Sequence, residues 1–234
     1  MTDKGAIEPG VAEKSVAPKD TWKEQGRGFF RPVGLWLADR GVKPDHLTVA
    51  GLCLSLLCAL FFGRGWFFGA AVLLGLAGLC DILDGDVARA RHAETPFGAF
   101  LDSTLDRVSE GALFIGLAYF YFTRTQSTTV WMRGMFEGSA QWGDADGPTL
   151  GILTLATLLL SFMVSYIRAR AEGLGLDCKV GLMERPERML TLGAGALLGH
   201  RFMPGVLGIL FILTLVTVLQ RVYHVRKLTH ANSA

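Results

Sequence analysis

The sequence predicts an all-α integral membrane protein, with six transmembrane helices preceded by an N-terminal amphipathic interfacial helix. Three observations carry that expectation. Half of the 234 residues are hydrophobic and only 19% are charged, with a mean hydropathy of +0.36, where an ordinary soluble domain carries about 25% charge. The apolar residues gather into runs at 47–63, 66–83, 108–123, 149–167, 189–203 and 204–220. Each is roughly 15–20 residues long, near the ~20 that cross ~30 Å of hydrocarbon. Lys and Arg, finally, divide very unequally between the two sides that such spans define.

Taken in order, residues 1–19 are polar, lack the apolar core of a cleavable signal peptide, and read as a disordered cytoplasmic tail. Residues 20–42 alternate Trp22, Phe29, Phe30, Leu35, Trp36 and Leu37 with Lys23, Arg27, Arg31 and Arg40. That mixture predicts a helix lying in the interface, bent at Pro32. Residues 43–228 form the six-helix domain, opened by KPDHLT (43–48), and 229–234 form a short tail. The third span lengthens if the helix carrying Asp102 and Asp106 belongs to it. The fifth, RMLTLGAGALLGH, is short and rich in glycine. The connection 123–149 holds GDADG, which lacks the alternating ligands and closing Glu of a calcium loop and reads as a turn. Cys53, Cys58, Cys80 and Cys178 show no CxxC spacing and read as small apolar fillers or isolated thiols.

With six spans both termini share a side. The termini and the connections on their side hold nineteen of the 23 Lys and Arg; Arg64, Arg124, Arg133 and Arg201 remain for the other. The positive-inside rule therefore puts both termini in the cytoplasm of a multi-pass cell membrane protein. The basic face is explained by topology and anionic lipid headgroups, so nucleic acid is not implied.

On that cytoplasmic side stands DILDGDVARARHAETPFGAFLDSTLDR (81–107). Asp81 and Asp84 close the second span at i,i+3, and Asp102 and Asp106 open the third at i,i+4, so each pair occupies one helix face. The chain leaves and re-enters on the same side, which sets the pairs opposite one another at similar depth. Four carboxylates at a low-dielectric boundary repel unless cations compensate them. An all-oxygen set suits Mg²⁺, Mn²⁺ or Ca²⁺ and not zinc, and two such ions balance four charges. Paired ions on carboxylates hold diphosphates for in-line displacement at phosphorus. Helix capping explains one or two of these acids but not four.

The pattern D-x2-D-G-x2-A-R-x8-G-x3-D-x3-D, realised as Asp81, Asp84, Gly85, Ala88, Arg89, Gly98, Asp102 and Asp106, resembles the full signature of the CDP-alcohol phosphotransferases. The resemblance implies transfer of a phosphatidyl group from a CDP-linked lipid to an alcohol, with CMP released and two divalent cations, Mg²⁺ or Mn²⁺, as cofactors. It implies Asp81, Asp84 and Asp102 as metal ligands, and Asp106 as the general base that also reaches a metal. Asp81, Gly85, Ala88 and Arg89 line the CDP site, joined by Pro44 and Thr48 of the first span. Asp45 stands where the family often has Asn. A homodimer is implied as well.

The acceptor is read from SYIRARAEGLGLDCKVGLMERPERML (165–190), where Arg168, Arg170, Arg185 and Arg188 are interleaved with Glu172, Glu184 and Glu187. Guanidinium forks match phosphate oxygens bidentately, which favours a phosphorylated acceptor over serine, choline or ethanolamine. Inositol phosphate and glycerol phosphate are both dianionic polyols and are not separated by that chemistry. SYIRARAE followed by ERPER resembles the inositol-phosphate-using branch, the phosphatidylinositol phosphate synthases and their archaeal archaetidylinositol phosphate relatives, although Arg168 stands where that branch often has Lys. This resemblance implies CDP-diacylglycerol or an archaeal CDP-lipid as donor. It implies inositol 1-phosphate as acceptor, bound by Arg168, Arg185 and Arg188, with Arg170 and Glu172 orienting them and Glu110 either behind them or facing the acceptor's hydroxyls. Glycerol 3-phosphate or another polyol phosphate is the alternative acceptor. A divalent-cation transporter is the alternative of another class, but beyond Glu110 the third span reads GALFIGLAYFYF and offers no polar path.

Overall fold

A computed structural model describes residues 31–91, 95–124 and 147–231, and all regular structure among them is helical. The helices are α1 (31–39), α2 (Pro44–Arg64), α3 (Phe67–Ala90), α4 (Pro96–Arg124), α5 (Gly147–Glu172), α6 (Arg185–Leu198) and α7 (Met203–Ala231). Residues 1–19, the start of the interfacial stretch at 20–30, and most of the 123–149 connection lie outside the described residues.

Four helices, α2, α3, α5 and α7, are long and apolar enough to cross a membrane. The 29 residues of α4 extend about 44 Å, but its first half carries Asp102, Asp106, Arg107 and Glu110. At 14 residues α6 is about 21 Å long. It starts at Arg185, earlier than the apolar run at 189, because Pro186 suits a helix's first turn. It stops at Leu198, and a short turn at 199–202 leads into α7. Beyond 220 the sequence RVYHVRKLTHA holds no Gly or Pro, so α7 continues to Ala231, inside the stretch expected as a tail. Of the stretch expected as an interfacial helix, 31–39 is helical and displays Val33, Leu35 and Trp36, with the Arg40 guanidinium 4.1 Å over the Trp36 ring.

Six helices close a ring: α2 touches α3 and α4, α4 touches α5, α5 touches α7, α7 touches α6, and α6 returns to α3. Gly116 allows the α2–α4 contact, since a Cβ there would run into the Ala59 carbonyl. One half of the ring is filled by Phe62, Phe67, Leu74, Phe114, Leu117, Leu192 and Leu207. The outside stays apolar, with Leu60, Val72, Ile115, Ile152, Leu159, Ile212 and Leu219 all exposed, as hydrocarbon requires and water does not favour. The other half of the ring is where α3 ends and α4 begins, and there the lining turns polar.

Candidate active site

The signature needs α3 to stay helical past its apolar part, and it does: the helix carries Asp81 and Asp84 through Gly85 to Ala90. Pro96, which has no N–H to satisfy, opens α4, and two turns later Asp102 and Asp106 follow. The consequence is convergence. One carboxylate oxygen from each of Asp81, Asp102 and Asp106 lies within 4.8 Å of the others. Asp81 is partly exposed and Asp106 largely buried, so the cluster opens to the outside at Asp81.

Asp84 is buried and stands outside that trio. The Thr48 hydroxyl, 3.2 Å from the Pro44 carbonyl, donates to its Oδ2 at 2.8 Å. Thr48, read from the first span as a nucleotide contact, is thus brought against an acid of the signature, with Pro44 one turn before it. Arg89 bends back along its helix, with guanidinium nitrogens 3.4 Å from where a Cβ on Gly85 would stand. Asp86 holds it there at 2.7 Å. Sequence reasoning missed Asp86, which lies off the Asp81–Asp84 face. It is buried beneath α1, where Gly34 passes so closely that a Cβ would come within 2.6 Å of the Asp86 Cβ.

Arg185 reaches the trio from the other side of the ring. Its NH1 is 3.1 Å from Asp81 Oδ1, and its NH2 is 2.8 Å from Asp106 Oδ1 and 3.4 Å from Ser109 Oγ. Its Nε is buried and meets no acceptor among the described residues. Arg188, one turn on, is 1% exposed and forks onto Glu110 at 2.7 and 3.0 Å, with a third bond of 2.9 Å to the Met183 carbonyl. A bidentate pair dry on all sides is the arrangement in which buried charges persist. Arg168 is at the surface and donates to Glu172 at 2.9 Å. The structure therefore brings Arg185 to the aspartates, sets Arg188 beneath them with its donors engaged, and leaves Arg168 paired at the end of α5. Arg170 is exposed.

The connection from α5 to α6 is held by α7. Arg221, 2% exposed, donates to the Val180 and Val164 carbonyls at 2.8 and 2.6 Å and lies 3.7 Å from Glu184. The Met183 N–H donates to Thr217 Oγ1 at 3.0 Å. Gly181, at φ +133°, presses on the same threonine, 2.6 Å from Thr217 Cγ2 to where a Cβ would stand. Arg221 was counted in sequence only as one of the cytoplasmic-side cations. Its signal was present, the first charge of the helix, one turn after Thr217 at the end of the apolar run.

An all-carboxylate trio with oxygens this close fits a hard divalent cation in donor type and spacing. A groove of about 850 Å³ between α4 and α5 is lined mostly by apolar side chains, among them Phe100, Val108, Ile115, Leu158 and Phe162, and also by Arg107, which lies 4.0 Å from Asp106.

Comparison with known proteins agrees with the signature. The sequence pattern of the CDP-alcohol phosphatidyltransferases matches residues 42–220. An archaetidylinositol phosphate synthase from Methanothermobacter thermautotrophicus is 37% identical over 205 residues, 85% of this chain and 89% of that protein. A phosphatidylinositol phosphate synthase from Mycobacteroides abscessus is 36% identical over 201 residues, 83% of this chain and 82% of the other. The crystal structure of Mycobacterium tuberculosis phosphatidylinositol phosphate synthase with CDP-DAG bound superposes with a TM-score of 0.67 at 33% identity, covering 83% of this chain and 92% of that one. The same enzyme with manganese and citrate gives 0.66, over 83% and 87%.

Proposed function

The chain belongs to the CDP-alcohol phosphatidyltransferase family, and from that membership we propose that it transfers the phosphatidyl group of CDP-diacylglycerol, or of an archaeal CDP-lipid, to a hydroxyl of inositol 1-phosphate. The observation that carries this reading is the meeting of Asp81, Asp102 and Asp106 under the guanidinium of Arg185. It places acids suited to a metal-bound diphosphate beside a cation suited to a phosphorylated acceptor.

The acceptor hydroxyl oxygen forms the new bond to the lipid-bearing phosphorus. The bond from that phosphorus to the bridging oxygen breaks, and CMP leaves with the electron pair. Asp106 takes the hydroxyl proton, from a largely buried position at the edge of the trio. Asp81, Asp84 and Asp102, with Asp106, would hold two divalent ions, Mg²⁺ or Mn²⁺, which when bound would supply neutralisation of the diphosphate and polarisation of its phosphorus. Pro44, Thr48, Gly85, Ala88 and Arg89 line the CDP site. That Thr48 bonds Asp84 and that Arg89 lies over Gly85 supports a common nucleotide-facing surface. Arg185 and Arg168 receive the acceptor phosphate from the surface side. Arg188 reaches it only by loosening its grip on Glu110, and otherwise braces the pocket floor.

The six ringed helices are the membrane domain, which begins at 43 and which α7 carries past 228 to Ala231, with 20–42 along the interface and 1–19 as a tail. The aspartate end and both termini face the cytoplasm of the cell membrane, and two copies associate. Transport is disfavoured because Leu113, Phe114 and Leu117 fill the ring beyond Glu110.

The test is CMP release by the purified protein with CDP-diacylglycerol and Mg²⁺ or Mn²⁺, offered inositol 1-phosphate, glycerol 3-phosphate, free inositol or serine. Release with inositol 1-phosphate is expected. Release with glycerol 3-phosphate alone overturns the acceptor, and release with none overturns the reaction.

A further inference from the structure

Arg185 stands where two demands meet. It lies on Oδ1 of Asp81 and Oδ1 of Asp106, acids that the proposed function assigns to divalent ions. It is also the arginine nearest those acids that the same reading assigns to the acceptor phosphate. The two demands oppose one another, because a divalent ion among the same carboxylates repels a guanidinium held there. We propose that Arg185 is the built-in counter-cation of the metal site: divalent-ion binding displaces it from Asp81 and Asp106, and the released guanidinium then takes the acceptor phosphate, so metal and acceptor bind cooperatively. This rests on the reading of the site given above.

Three further features support the exchange. Close carboxylates are costly unless a cation lies among them, and Arg185 is the cation that reaches both Asp81 and Asp106. Its hydrogen bonding in that position is incomplete, because Nε is buried without an acceptor among the described residues. A phosphate engages Nε and a terminal nitrogen side by side, as a fork, and so offers Arg185 what the aspartates do not. The backbone, meanwhile, has little freedom. Arg221 and Thr217 hold the segment leading into Arg185 against α7, and Arg188 anchors the next turn to Glu110. The exchange is therefore a side-chain swing about a fixed Cα. Coupling arises because a site that must first free its arginine binds the phosphate more weakly, and the metal removes that cost.

The experiment uses the full-length purified protein without CDP-lipid, so that no turnover occurs. Mn²⁺ affinity is measured by the loss of free-ion EPR signal for the wild type, Arg185→Gln and Arg185→Lys, with Asp81→Asn as the variant expected to lose the ion. Inositol 1-phosphate affinity is measured by calorimetry with and without Mn²⁺. Arg185→Gln is expected to bind Mn²⁺ about tenfold more tightly than the wild type, and Arg185→Lys within about threefold of it. The wild type is expected to bind inositol 1-phosphate about tenfold more tightly once Mn²⁺ is present, and Arg185→Gln to lose that gain. Mn²⁺ affinity unchanged or weakened in Arg185→Gln overturns the counter-cation, and equal acceptor affinity with and without Mn²⁺ in the wild type overturns the coupling. Failure of the transferase reading shows separately, as absent CMP release in the complete assay. Melting in EDTA guards against misfolding: Arg185→Gln should melt below the wild type without metal and recover with Mn²⁺, and a deficit that Mn²⁺ does not restore counts against the proposal.

Discussion

Single side chains in this site differ in what their removal leaves behind. Asp106 lies at the edge of the trio, one oxygen on Arg185. Asp106→Asn keeps its size and removes its basicity. It should lower the rate of CMP release by a factor of about 10²–10⁴ while CDP-lipid binding, followed by displacement of a fluorescent CDP-lipid, persists. Vanished binding would mark Asp106 as chiefly a metal ligand. Glu110 presents the opposite case. Its value lies in its partner, because Glu110→Ala strands the Arg188 guanidinium in a site 1% exposed. The expected cost is about 3–5 kcal/mol, read as a lower melting temperature in detergent. The double change Glu110→Leu with Arg188→Met should recover much of the loss in stability and none of the activity. Recovery of stability by either single change would mean that the pair is not dry.

At the scale of elements, helix ends make the site. The polar ends of α3 and α4 bring the acids, the start of α2 brings Thr48, and the start of α6 brings Arg185 and Arg188. The α5–α6 connection is tied to α7 by Arg221, which donates to the Val180 carbonyl of the connection and to the Val164 carbonyl of α5 from far away in sequence. Arg221→Ala removes the side-chain donor of the Val180 carbonyl and should loosen the segment that aims Arg185. The expected result is a KM for inositol 1-phosphate raised about tenfold or more, with the KM for CDP-diacylglycerol within about twofold of the wild type. An equal rise in both would show that α7 supports the whole ring and not this connection.

For the whole molecule the consequential feature is polarity along the bundle axis. Apolar packing fills one end, and charge and openness occupy the other. If the aspartate end faces the cytoplasm, a cysteine at Thr229 should resist an impermeant maleimide in intact cells and react in inside-out vesicles. A cysteine at Arg201, in the turn at the opposite end, should behave the other way round, both in a background with the four native cysteines replaced. The reverse pattern would invert the topology. Much of this plan was legible beforehand because its causes are local in sequence. Hydrocarbon demands long apolar runs, and a helix places i,i+3 and i,i+4 acids on one face. The start of α7 was legible to within a residue, but the end of α6 was not, since a short turn between two apolar runs barely interrupts the pattern, and the end of α7 was not, since the helix runs on past its apolar part.

The sequence by itself determined the helical membrane class, the acidic pairs and, through the signature, the family, because each of these rests on residue type and short-range spacing. Only the tertiary structure decided which acids share a point in space: Asp81, Asp102 and Asp106 meet, while Asp84 turns to Thr48. It also separated three arginines that the sequence could only group. Arg185 lies on the acids, Arg188 is locked to Glu110, and Arg168 is paired with Glu172 at the surface, while Arg221 of α7 holds the connection that aims the first. The reason is physical. What a guanidinium does depends on which carboxylate or carbonyl lies within about 3 Å of it, and here those partners come from helices 41 to 104 residues away along the chain.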